Sequence, residues 1–194
     1  MFLRNLLGIS AIAALGVIVL TAGHAQQAQE KGQGKGKGQA ETAQPAPPKA
    51  MKDTLVGTWR LLISDSVNPD NTQTPQYGPN PMGTLMFDAN GHYSSIVMRS
   101  SSRPRFAAND RLKGTDAENK AVMQGMLVHF GTWTVDEPTK TLTLHIEGSS
   151  YPNWEGTTQK RTITSLTAGD ELTYTITNPA TGTLPMTLAW KYVK

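Results

Sequence analysis

Between Thr54 and Lys194 the chain reads as eight short runs rich in Thr, Val, Ile, Leu and aromatic residues, each stopped by a turn signal. Repetition of short strand-type runs with polar punctuation is the pattern of a β-sandwich or a β-barrel. The runs are Leu55–Ser64, Met82–Asp88, His92–Met98, His129–Asp136, Thr141–Ser149, Thr157–Leu166, Glu171–Asn178 and Leu184–Val193. Asn90-Gly91, between the second and third, is a strong hairpin signal. Asp136–Lys140, Thr167–Asp170 and Pro179–Gly182 are polar turns of hairpin length, so the last five runs form an up-and-down meander. Two connections are longer. Val67–Pro81 is rich in Pro, Asn and Gly and is expected to be a loop. Ser100–Val128 starts polar and then carries Thr115-Asp116-Ala117-Glu118, a capping box, with Ala121, Val122, Met123 and Met126 following at near-helical spacing. One short helix is expected there, across one barrel mouth or beside it.

The residues before Thr54 have a different character. Arg4 precedes an uncharged apolar run, Leu6 to Ala22, that ends in Ala22-Gly23-His24-Ala25. A positive start, a short apolar stretch and a small-x-small site predict a signal peptide over residues 1–25. The alternative, an uncut anchor, needs roughly 20 apolar residues to span a bilayer, more than this run supplies. Residues 26–53 are low in complexity, with Gly32–Gly38 alternating Gly with Gln or Lys and a proline-rich stretch at Ala43–Pro48. Such a segment has no apolar surface to offset its ordering entropy and reads as a disordered linker. The domain is expected over 54–194, exported to a periplasmic or secreted destination.

Charge and cysteine content exclude several classes. Residues 1–53 carry six basic and three acidic side chains, whereas 54–194 carry twelve of each. The whole excess of +3 therefore lies in the tail, and the neutral domain offers no electrostatic case for nucleic acid. The chain has no cysteine, which removes disulfides, thiol catalysis and zinc–thiolate sites. His92, His129 and His145 fall on three separate strands with no metal-ligand spacing, so no metal is expected, and no cofactor is implied. The phosphate-loop, Rossmann and Gly-x-Ser-x-Gly patterns are all absent.

Gly57-Thr58-Trp59 opens the first run, and Gly131-Thr132-Trp133 repeats the pattern. A glycine there lets the chain pass close while the indole seals one end of a barrel. Together with Tyr77-Gly78-Pro79-Asn80-Pro81-Met82-Gly83, Arg103-Pro104-Arg105-Phe106, His129–Asp136, His145-x-Glu147-Gly148-Ser149, Pro152-Asn153-Trp154-x-Gly156 and Gln159-x-Arg161, it resembles the bacterial and fungal lipocalin-like domain family across nearly all of 55–193. The resemblance implies an all-β fold, an eight-stranded antiparallel up-and-down barrel with one short helix and an interior cavity. It does not imply a single activity. Where such proteins commonly carry an aromatic, Val128-His129-Phe130 places a histidine.

Alternate residues of a strand share a face. On the fifth run His145, Glu147 and Ser149 lie opposite Leu142, Leu144 and Ile146; on the sixth, Gln159 and Arg161 share a face with Ile163. Periodicity does not choose which face is inside. The resemblance implies that His145, Glu147, Gln159 and Arg161 point inward as a polar cluster, with Tyr151, Asn153 and Trp154 of the adjoining loop as a pocket wall. Arg161 would then grip a carboxylate, a ligand's or that of Glu147. A plain cross-strand Glu147–Arg161 ion pair fits the same residues. Tyr93 and Arg99 form a second polar wall or a solvated exterior.

Three functions follow from these readings. The first is binding of a small, mostly apolar molecule with a polar or acidic head, fixed by Arg161, His145 and Glu147. The second is an isomerase, cyclase or lyase using His145 or Glu147 for proton transfer. The third is a filled barrel serving a structural or protein-interaction role.

Overall fold

The structure, a computed structural model, describes residues 49–101, 103–180 and 182–194. The signal peptide and all but the end of the linker fall outside these residues. Nine strands form one antiparallel sheet: β1 (Gly57–Val67), β2 (Gln73–Pro75), β3 (Met82–Phe87), β4 (His92–Met98), β5 (Met126–Asp136), β6 (Thr141–Ser149), β7 (Thr158–Thr167), β8 (Glu171–Ile176) and β9 (Met186–Tyr192). β1 pairs with β3, each strand from β3 to β8 pairs with its successor, and β9 pairs back onto β1 from Trp59↔Tyr192 to Ser66↔Met186. Eight strands thus close into the expected barrel. The ninth, β2, lies in the expected loop after Val67; it pairs with the end of β1 at Asp65↔Pro75. An edge position tolerates Pro75, which has no N–H to donate.

Among the described residues two α-helices accompany the barrel. The expected one is α2 (Asp116–Gln124), started by the full capping box in which Glu118 N–H donates to Thr115 Oγ1 at 3.3 Å and Thr115 N–H to Glu118 Oε2 at 2.8 Å. It buries none of its side chains, and Met126 opens β5 instead of continuing the helix. The other is α1 (Met51–Leu55), where the sequence reading began a strand at Leu55. Leu55 is fully buried, and its carbonyl accepts the indole N–H of Trp59 at 2.9 Å. α1 therefore adjoins the lower end, the end at which β1 starts.

That end is solid. Trp59, Leu61, Leu85, Phe87, Tyr93, Trp133, Leu142, Leu144, Ile163, Leu172 and Trp190 are all buried in the core. Both Gly-x-Trp motifs work here. A Cβ on Gly57 would meet the Tyr192 ring at 2.5 Å, and that ring packs edge-on against Trp59 at 5.0 Å. The Trp133 indole donates to Asp88 O at 3.2 Å and packs tilted against the Phe87 ring, centroids 4.8 Å apart.

Three bulges set which residues face inward: Leu62 on β1, Glu147 on β6 and Thr164 on β7 are each left out of the pairing register. Below Leu62 the odd residues Trp59 and Leu61 point in; above it the even residues Ser64 and Ser66 do. Extra residues of this kind bend a strand and raise its twist, which a small closed barrel requires.

Gly131 sits opposite the β6 bulge, where a Cβ would lie 2.0 Å from the carbonyl oxygen of His145. Backbone cannot yield as a flexible side chain can. Gly131→Ala should therefore cost about 2 kcal/mol or more. Urea unfolding checks this, and an unchanged midpoint would show that β5 and β6 are not so tightly apposed.

Candidate functional site

The upper half of the barrel encloses a cavity of about 30 Å³. Its wall is Ser64, Ser95, Val97, Leu127, His129, Arg161, Tyr174, Ile176, Met186 and Leu188 from the strands, with Tyr77, Trp154, Pro179 and Ala180 from the loops. The lining is apolar except for a few converging polar groups.

Arg161 is the central one. The β7 register places it opposite Leu142 on the inner face, 1% exposed. Its Nη1 donates to the carbonyl of Lys160 at 3.2 Å, and its guanidinium carbon lies 5.7 Å from the centre of the Trp154 ring. Among the described residues no carboxylate pairs with it; the two ion pairs present are Lys113–Asp110 and Lys191–Asp170. Burial lowers its pKa, with the neighbouring Tyr174 and Tyr93 acting the other way. Taking a cation out of water without a counter-ion costs several kcal/mol.

Beside it, His129 on β5 is buried, and its Nδ1 shares a 2.8 Å hydrogen bond with Tyr93 Oη. Burial first, and the charge of Arg161 second, push the His129 pKa down to about 3, so the imidazole is neutral at physiological pH. Its ring meets Trp154 edge-on at 5.6 Å. Burial raises the phenol of Tyr93 and takes those of Tyr77 and Tyr174 up to about 12, so all three are neutral hydroxyls. Ser64 Oγ is buried without a hydrogen-bond partner.

Several expected site residues take other places. His145 and Glu147 are exposed on the outer wall, because the aliphatic face of β6, Leu142, Leu144 and Ile146, is the buried one. His145 Nδ1 lies 3.4 Å from Thr158 Oγ1, another exposed side chain. Glu147 is the residue bulged out of register. The Glu147–Arg161 ion pair does not form, since the two occupy opposite sides of the wall, and no desolvated His145–Glu147 pair exists for proton transfer. Gln159 is half-buried on the inner face near Arg161, 3.4 Å from Thr157 Oγ1. Trp154 enters the cavity, with Tyr151 edge-on to it at 6.1 Å, while Asn153 stays exposed and donates to Tyr151 Oη at 3.1 Å. Tyr93 faces inward and so forms part of a polar interior wall, not a solvated exterior. Arg99 lies outside the cavity lining, half-buried, donating to Gln76 O at 3.0 Å.

The sequence reading passed over His129, Ser64, Tyr77, Ser95 and Tyr174. Two of these were readable by alternation, His129 from Trp133 and Tyr174 from Leu172. Ser64 depends on the bulge, and Tyr77 on the path of a loop. His92 and His145 are outside the wall and His129 inside, so the three histidines do not converge.

The closed barrel agrees with the family to which the sequence matches. Residues 56–192 match the lipocalin-like domain family. The chain belongs to that family. Over 76 residues this lipocalin-like protein is 37% identical to the 4'-hydroxy-3'-methoxypropiophenone carrier protein of Aspergillus oryzae, covering 36% of this chain and 68% of that one. Among solved structures it is similar to a biogenic amine-binding protein at 11% identity and a TM-score of 0.39, over 72% of this chain and 65% of that chain.

Two outcomes follow from the geometry. Arg161→Met replaces an unpaired buried charge with an apolar chain of similar length, and should stabilise the barrel by roughly 1–4 kcal/mol in chemical denaturation; a destabilised variant would reveal an unrecognised counter-ion. His129 takes up its proton near pH 6.5 when unfolded and near 3 when folded. The unfolded state thus binds more protons between those values. Stability is complete above about pH 6.5 and falls as pH drops towards 3, by on the order of 4 kcal/mol. His129→Phe should flatten that acid limb.

Proposed function

We propose that this lipocalin-like barrel binds a small, mostly apolar molecule by its polar or acidic head, and that it does so as an exported protein. The observation that carries the reading is Arg161: a buried guanidinium facing a cavity without a carboxylate beside it. A charge kept there against its desolvation cost is repaired when a ligand supplies the acceptor. Trp154, Tyr174, Val97, Leu127, Ile176 and Leu188 supply apolar area around that anchor. His129, neutral and tied to Tyr93, adds a polar ring face but no base effective at neutral pH.

The size of the chamber constrains the mode of binding. A cavity of about 30 Å³ takes a head group, whereas pockets that enclose drug-sized ligands run to roughly 300–1,000 Å³. A larger body therefore enters by displacing mouth residues, and Trp154, carried on the loop between β6 and β7, is the largest of these. The matched carrier is named for 4'-hydroxy-3'-methoxypropiophenone, an aryl ketone, which is in keeping with a ligand of this scale. Export rests on the Arg4 and Leu6–Ala25 pattern.

Native mass spectrometry of protein purified from its own host tests the binding reading. A bound small molecule is expected on the wild type and on His145→Ala, whose imidazole is outside the wall, and is expected to be absent from Arg161→Met. Equal retention by Arg161→Met would remove the anchor from the reading, and loss on His145→Ala would relocate the site to the outer wall.

A further inference from the structure

Building on that reading, we infer that the ligand is a single-ring aromatic carboxylic acid bearing a second oxygen at its far end, and that amines are excluded. The chamber offers donors and a positive charge. Among the described residues that line it there is no Asp or Glu, while Arg161 presents a planar fork of N–H groups, one of which meets the Lys160 carbonyl and none a carboxylate. A carboxylate matches that fork with two parallel hydrogen bonds. An ammonium would instead face a buried like charge in a medium of low dielectric.

The second oxygen comes from the opposite side. Ser64 is 1% exposed, lines the same chamber, and has a hydroxyl with no partner. It belongs to β1, three strands around the ring from Arg161 on β7 by way of β9 and β8. A molecule that satisfies both residues carries oxygen at both ends. Its breadth is set by aromatic and flexible walls: Tyr77, Trp154, Tyr174 and Met186. Its length is set from below, where Leu61, Tyr93, Ile163 and Trp190 fill the barrel and stop an acyl chain from descending.

Titration calorimetry on the purified protein tests this with five probes: para-hydroxybenzoate, benzoate, para-hydroxyacetophenone, para-hydroxybenzylamine and dodecanoate. Para-hydroxybenzoate should bind about tenfold or more tighter than the isosteric ketone, and the amine should give no heat. Arg161→Met should bring the acid and the ketone level, with Arg161→Gln as a second variant and a thermal melt of each confirming a folded barrel. Ser64→Ala should erase the preference of para-hydroxybenzoate over benzoate. Ketone binding as tight as the acid, or an acid preference that survives both Arg161 variants, would overturn the acid assignment while leaving small-molecule binding intact. Dodecanoate binding tightest would overturn the single-ring limit alone. If none of the five binds, this inference falls, and the proposed function falls with it only if no small molecule co-purifies with the wild type in native mass spectrometry.

Discussion

Closure of the sheet, made by the β1–β9 ladder, gives every strand residue one of two places: inside the wall or outside it. All that is chemical about this chain follows from that assignment. Between closely spaced strands there is no third location, and a one-residue slip exchanges the two faces. Leu62, Glu147 and Thr164 are the slips the barrel contains. The first turns Ser64 and Ser66 inward in place of Ile63 and Asp65, and so puts two hydroxyls on the inner wall. The second shifts the inner face of β6 from Ile146 to Ser149, which stands opposite His129. Bulges that bend the strands for closure therefore also bring hydroxyls to the inner face.

The barrel divides its labour along its axis. Below, two indoles with backbone-bonded N–H groups, Phe87 and a set of leucines fill the interior, and this end holds the fold together. Above, the packing thins around Arg161, and the neighbouring groups are all held neutral by burial: His129, Tyr93, Tyr77 and Tyr174. Arg161 is thus the charged group among the described residues that line the chamber. An eight-stranded barrel has just enough internal width either to be filled by side chains or to hold one small ligand. This one is filled in its lower half and leaves a small cavity in its upper half.

Much of the architecture was legible because short β-type runs, Asn90-Gly91 and the Thr115 capping box are local signals, and local chemistry decides them. α1 and β2 were not: Met51–Leu55 is a single turn held by burial of Leu55, and Gln73–Pro75 is a strand only because the end of β1 needs a partner. At the site, Arg161 and Trp154 were readable from their spacing and type, but the orientation of β6 was not. Reading the polar residues His145 and Glu147 as interior set a family resemblance above the simpler rule that an aliphatic face, here Leu142, Leu144 and Ile146, goes to the core. The cross-strand register shows the same thing locally: Arg161 is paired with Leu142, so the arginine and the leucine share the inside.

That pairing leaves Arg161 among groups that cannot neutralise it. A buried ion pair exchanged for apolar residues is often neutral or favourable in stability, and a buried cation without a partner is worse placed still. The wall could satisfy the guanidinium by turning Glu147 inward, yet strand alternation from the buried Ile146 leaves that carboxylate in solvent. The chain thus has an acid one strand away and keeps it out of the chamber. Stability would favour the pair or a methionine; the arrangement makes sense for a site in which a carboxylate acceptor arrives with a ligand, beside the guanidinium and the Trp154 ring that lies 5.7 Å from it.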